Sequence, residues 1–202
     1  GNKVFTDSKI RSVMRIKEGG FSSAVTDSGA FQSNLFAQDR ALITQLYGEL
    51  GYIQVKVGKP DLSLSPDRKH LYISFSIDEG AQYRVGSVSV SGDTLENDVD
   101  LASLPKIKKG AIANSLIIRG DVERISRQFG DEGYFYVNVI PQTRDYPESR
   151  VVDLDYSVQK GPLVRIGKIR ISGNESTRDK VIRRELRLNE GDLYIATKLQ
   201  TS

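Results

Sequence analysis

The chain has 202 residues, 38% hydrophobic, 27% charged and 8% aromatic, with no cysteine, no tryptophan and one histidine. Without cysteine there is no disulfide framework, thiol nucleophile or zinc-cysteine site, and a single imidazole excludes histidine clusters and relays. The formal net charge is +3, and no apolar stretch approaches the roughly 20 residues of a membrane helix, so the chain is expected to be soluble.

The chain opens Gly1-Asn2-Lys3-Val4-Phe5, with no initiator Met and no apolar leader, which reads as a fragment or mature piece. Gly1-Asn2 is a turn, and Thr6 or Asp7 is the candidate N-cap of a short first helix. Ile16-Lys17-Glu18-Gly19 closes that segment, and a Ser- and Gly-rich stretch carrying Phe21, Phe31 and Phe36 follows. Leu42, Ile43, Leu46, Tyr47 and Leu50 recur at helical spacing and predict a second helix with one apolar stripe. Gly48 and Gly51 end it where a left-handed residue is needed. Ile53, Val55 and Val57 then alternate as one strand, and Leu71, Ile73, Phe75 and Ile77 as another, joined through the Pro66-Asp67 turn into a hairpin.

The pattern then returns. Tyr83-Arg84-Val85-Gly86 with the alternating Val88 and Val90 and a Gly92-Asp93 turn is matched by Val164-Arg165-Ile166-Gly167, Ile169, Ile171 and Gly173-Asn174. The second helix recurs as Ile118, Val122, Ile125 and Phe129, the Gly pair as Gly130 and Gly133-Tyr134, and the hairpin as Phe135, Val137, Val139 with Val152, Leu154, Tyr156, Val158 around Pro147-Glu148. Ser176-Thr177-Arg178-Asp179 before Val181, Ile182 and Leu186 predicts one more short helix. A self-similar period of about 80 residues is the mark of a repeat array. The expected division is 1–80, lacking its first strand, 81–161, complete, and 162–202, the N-terminal part of a further unit. Each full unit reads β-α-α-β-β, an α+β arrangement in which two helices cover one face of a small sheet. Neighbours are expected to be hinged around Gly80 and Gly161 but held close.

Few residues carry chemistry. His70 stands in a turn with no partner specified by spacing, and Asp153 and Asp155 share the polar face of a strand that Ser157 continues. No phosphate loop, dinucleotide fingerprint or metal-spaced cluster occurs, so the reading is non-enzymatic, with no catalytic, cofactor or metal residue. Basicity is concentrated from Pro162 onward, where nine Lys and Arg face five Asp and Glu. Arg165, Lys168, Arg170, Arg178, Arg183, Arg184 and Arg187 are available to an anionic partner such as nucleic acid or a membrane surface. A KH-like single-stranded RNA-binding repeat is the alternative, but its Gly-x-x-Gly loop lies between the two helices. Here Gly-x-x-Gly follows the second helix and encloses acidic residues, Glu49 and Asp131-Glu132. The edge Ile53–Val57 holds no proline and one charge, Lys56, so it is open to another chain's strand.

The order and spacing of these marks resemble tandem POTRA domains, the periplasmic repeats of the Omp85 family, whose units are β-α-α-β-β with a three-stranded mixed sheet on two helices. The three units look like the third, fourth and start of the fifth POTRA of that family's outer-membrane assembly proteins. Leu64-Ser65-Pro66-Asp67-Arg68-Lys69, the longer interhelix loop of the first unit and Arg183-Arg184-Glu185 carry the likeness. The resemblance implies a periplasmic scaffold and chaperone-like module of outer-membrane β-barrel assembly, attached to the outer membrane through its own C-terminal membrane barrel. It would bind unfolded outer-membrane proteins by strand addition and need no cofactor or nucleic acid. The client edge maps to Tyr52, Ile53, Gln54, Val55, Lys56 and Val57. Docking of lipoproteins of the Bam complex, such as BamD, maps to Arg183, Arg184 and Glu185. Strand exchange between molecules is also expected, with the edge Leu71–Ile77 taking a strand from around Ile169 of a neighbour.

Overall fold

A computed structural model of the chain describes residues 1–17, 33–67, 70–97, 99–173 and 178–200. Phe21 and Phe31 of the interhelix stretch, Arg68, Lys69, Asn174 and the candidate caps Ser176 and Thr177 lie outside them. The chain divides into two compact units, Gly1–Val85 with Gly110–Leu116 and Tyr146–Val152, and Gly86–Lys109 with Ile117–Asp145 and Asp153–Ser202.

In the first unit, α1 (Asp7–Val13) starts where the Thr6 side chain accepts the Lys9 N–H at 3.3 Å. Helix α2 (Ser33–Gly48) follows, then β1 (Lys56–Leu64) and β2 (Leu71–Asp78), an antiparallel pair that runs from Lys56 opposite Asp78 to Leu64 opposite Leu71 with one register shift on the way. The helical stripe meets the sheet in a core of Ile10, Ile43, Leu46, Tyr47, Val57 and Ile77. The start of the chain is tied in by Glu79, whose Oε1 accepts from Lys3 N at 2.7 Å, Val4 N at 2.9 Å and the Tyr47 hydroxyl at 2.8 Å. Burial opposes the charge on Glu79, but the Val4 and Lys3 N–H groups, the Tyr47 hydroxyl and the terminal amine outweigh it and hold the carboxyl below its ordinary range. Burial and the same carboxylate push the Tyr47 hydroxyl up, so it remains a donor.

The expected first hairpin strand begins later than the alternation of Ile53, Val55 and Val57 indicates. Gly51 turns the chain at φ +79°, Tyr52 N–H donates back to Tyr47 O and Val55 N–H to Tyr52 O, so 52–55 form turns and the ladder starts at Lys56. Past β2 the chain is stitched to the same region. Tyr83 N–H donates to Gly51 O, Ala113 N–H to Tyr83 O and Val85 N–H to Ala111 O, at 2.8–3.0 Å.

In the second unit β3 (Arg84–Gly92), β4 (Asn138–Tyr146) and β5 (Val151–Gln159) form a sheet in the order β3-β5-β4. The β4–β5 pair is a hairpin, whereas β3 runs parallel to β5, as the Ser89 Oγ bond to Leu154 O and the Asp93 N–H bond to Val158 O show. The sheet is therefore mixed. Helix α3 (Ser115–Asp131) lays Ile125 and Phe129 on Tyr134, Val139, Tyr156 and Val158. The other helix of this repeat shrinks to one 3-10 turn, Leu101–Ser103, capped by Asp100 on Ala102 N, because Pro105 follows too soon for an α-helix.

The final segment carries α4 (Asp179–Glu185) and α5 (Ala196–Gln200). Its stitch copies the earlier one: Val164 N–H donates to Gly133 O, Tyr194 N–H to Val164 O and Ile166 N–H to Asp192 O, at 2.8–2.9 Å. The expected strand at Ile169 and Ile171 forms no ladder among the described residues. Side chains satisfy the Ile169 backbone instead: its N–H donates to Glu190 Oε1 at 3.0 Å and its carbonyl accepts from Arg183 at 2.8 Å. A segment so engaged is not free to lend a strand to a neighbour's β2.

Candidate interaction surfaces

Of the six residues expected to form a client edge, Tyr52 to Val55 lie in turns and Lys56 and Val57 open β1. Tyr52 packs edge-on against Tyr47, 6.1 Å between centroids, and serves the core. The strand that does form is less open than Ile53–Val57 promised. It contains Pro60, which has no N–H, and the register shifts between Val57 and Pro60. At the same place Arg40 Nε reaches over from α2 to donate to Val57 O at 3.0 Å. Beyond this interruption Asp61–Leu64 continues the strand, with Leu62 and Leu64 exposed. Among the described residues β1 has β2 alone as a ladder neighbour, so one edge remains unpaired.

Arg183, Arg184 and Glu185 end α4 but do not form one contact group. Arg183 is a clamp: Nε lies 2.8 Å from Asp179 Oδ2, Nη1 3.4 Å from Glu190 Oε1 and Nη2 2.8 Å from Ile169 O. Arg184 and Glu185 are exposed and, among the described residues, pair with each other at 3.3 Å, a surface pair of small energetic weight.

The remaining chemistry-bearing residues are structural. His70 is exposed, its Nδ1 3.9 Å from Asp67 Oδ1, beyond hydrogen-bond range. The Ser65 hydroxyl beside it bonds Asp67 and accepts the His70 backbone N–H at 3.0 Å, which staples a turn. Asp155 accepts from Ser89 and Ser91 and joins β5 to β3, so it is not half of an acid pair with Asp153. Among the described residues no group of three or more His, Asp or Glu is placed to hold a metal, and no helix is long and apolar enough to cross a membrane.

Periodicity alone misses two buried carboxylates. Asp121 is fully buried in α3 and accepts from Lys106 N at 2.7 Å, Ile107 N at 3.0 Å, Tyr156 Oη at 3.1 Å and Arg124. Burial and the Asp121 charge push the Tyr156 hydroxyl up. Asp39, at the same place in α2, accepts from Arg15 N at 2.7 Å and Ile16 N at 3.2 Å. Each ties the strap before its helix to the helix itself. The readable signal is an aspartate on the apolar stripe, at equal distance before each Gly-Tyr pair.

A family model described as POTRA, surface antigen variable number repeat, matches residues 1–80, 83–161 and 164–202. The whole chain is 33% identical over 205 residues to outer membrane protein assembly factor BamA of Neisseria meningitidis, and 27% identical over 206 residues to that of Nitratidesulfovibrio vulgaris. It spans 26% of the length of each. A crystal structure of Haemophilus influenzae BamA POTRA3-5 superposes on all of this chain and 79% of that one with TM-score 0.79 at 20% identity, which is a likeness of fold. BamA from Haemophilus ducreyi lacking POTRA domains 1-3 matches 58% of this chain and 22% of that one at 28% identity, TM-score 0.51.

Proposed function

Because this chain belongs to the POTRA family, we propose that it is a non-enzymatic periplasmic scaffold in outer-membrane protein assembly, held to the outer membrane by a C-terminal barrel of the longer protein. The division into 1–80, 81–161 and 162–202 belongs to the same reading and is supported by the three segments the family model matches. The observation that carries the function is β1, a strand that has one ladder neighbour among the described residues. Unfolded barrel proteins are the clients, and they add a strand along β1. Lys56 and Val57 begin the site, and Asp61–Leu64 beyond Pro60 extends it. A lipoprotein partner such as BamD docks on Arg184 and Glu185, with Arg183 holding the helix in place.

The test is titration of the chain with a peptide copying a barrel strand, against the same peptide N-methylated at alternate amides. Methylation removes the client's donors without touching the protein, so strand addition requires a large loss of affinity. Equal affinity of the two peptides ends the edge assignment. For the lipoprotein, Glu185→Lys with Arg184→Glu should weaken capture of the purified partner while leaving peptide binding unchanged.

A further inference from the structure

We infer that the surface formed by residues 168–172 and α4 is a docking face for the phosphate headgroups of an anionic lipid bilayer. The first ground is that four cations of this segment are not used in ion pairs among the described residues. The described acids there are engaged: Asp179 and Glu190 by Arg183, Glu185 by Arg184, and Asp192 by the backbone and side-chain amides of Asn189. Lys168, Arg170, Arg178 and Lys180 are exposed and form no ion pair among the described residues. The second ground is position. Lys168, Arg170 and Ser172 line an open depression whose other wall is the Asp179–Arg183 pair of α4, so the two unpaired cations of the extended segment share one surface. Like charges left side by side raise the local potential and attract a dense anionic array.

The chemistry separates a bilayer from nucleic acid. Single-stranded nucleic acid is held by cations interleaved with exposed aromatic platforms. From Pro162 onward the sole aromatic is Tyr194, half-buried with its ring edge-on to Phe135 at 5.0 Å. Lipids also diffuse, so they match irregularly spaced cations without a preset register.

The experiment is co-sedimentation of the 202-residue chain with vesicles of phosphatidylethanolamine and phosphatidylglycerol, against vesicles of phosphatidylcholine. Binding is expected on the anionic vesicles alone and should fall as salt rises. Each cation removed should lower partitioning about fivefold, so Lys168→Glu with Arg170→Glu should abolish it while circular dichroism stays unchanged. Lys109→Glu with Arg119→Glu changes the net charge equally on exposed residues elsewhere and should retain most of the binding. Equal binding to phosphatidylcholine, or equal loss in the two variant pairs, overturns the proposal. So does salt-sensitive binding of a single-stranded oligonucleotide by a chain that leaves the anionic vesicles untouched.

Discussion

Strands β2 and β5 occupy the same place in consecutive repeats and meet different fates. β5 lies between β3 and β4, and its inward residues Val152, Leu154, Tyr156 and Val158 are 0–2% exposed. β2 has β1 on one side and no ladder neighbour on the other among the described residues, and Leu71, Ile73 and Phe75 are only half-buried. The sequences alternate equally well, so the difference is made by neighbours rather than by pattern. A second flanking strand closes the sheet over the apolar row, and at half burial each such side chain forgoes roughly 1 kcal/mol. The second repeat adds a polar lock, Tyr156 on Asp121, where the first has Phe75.

This contrast can be broken most strongly at Asp121. Asp121→Ala leaves the buried Ile107 N–H and Tyr156 hydroxyl, the partly buried Lys106 N–H and Arg124 without this acceptor, and urea unfolding should show a loss of about 3–5 kcal/mol. Asp39→Ala, with two backbone partners and no buried tyrosine, should lose clearly less. Gly92 comes next: an added Cβ meets Val158 O at 2.3 Å, and φ is +91°. Gly92→Ala should pry β3 from β5 at a cost of about 1–3 kcal/mol, and amide exchange in β5 should accelerate toward that of β2. Smaller again is Tyr47→Phe, which removes one hydrogen bond to Glu79 and should cost about 1 kcal/mol in the first unit.

The smallest effect is a pH dependence. Glu79 has a depressed folded value, so its contribution is present above the ordinary glutamate value of about 4.5 and is lost as pH falls through the depressed one. Glu79→Gln should therefore flatten the acid limb of a stability profile of the first unit, and an unchanged slope would show that the tie to Lys3 and Val4 does not matter.

Much of the fold was legible because period decides it. The stripes through Leu46 and Phe129 are helices, the alternations through Ile73 and Leu154 are strands, and Thr6 caps where its type and place predict. Three features were hidden for physical reasons. Ile53 and Val55 alternate as a strand would, but the left-handed Gly51 keeps the chain turning until Lys56. Ile169 and Ile171 alternate too, yet alternation specifies a face and not a partner, and side chains from Arg183 and Glu190 took the backbone. The glycine pairs divide their labour: Gly51 and Gly133 supply the left-handed turn, whereas Gly48 and Gly130 admit Ser115 and Ala196, whose side chains would lie 2.9 Å from an added Cβ. At the hairpin strand expected to offer an edge, the guards, Pro60 inside the ladder and Arg40 on Val57 O, were hidden because they depend on where the strand begins.

That guarded edge bears on time as well as place. A client strand added along β1, as proposed above, would meet two short runs of backbone partners separated by a proline and a bulge, and would be released in two easy steps rather than one difficult one. Each run holds too few bonds to detain a chain for long, and dissociation sets the affinity of such a contact. On the proposed reading, residence of a client on β1 is brief and repeated rather than long.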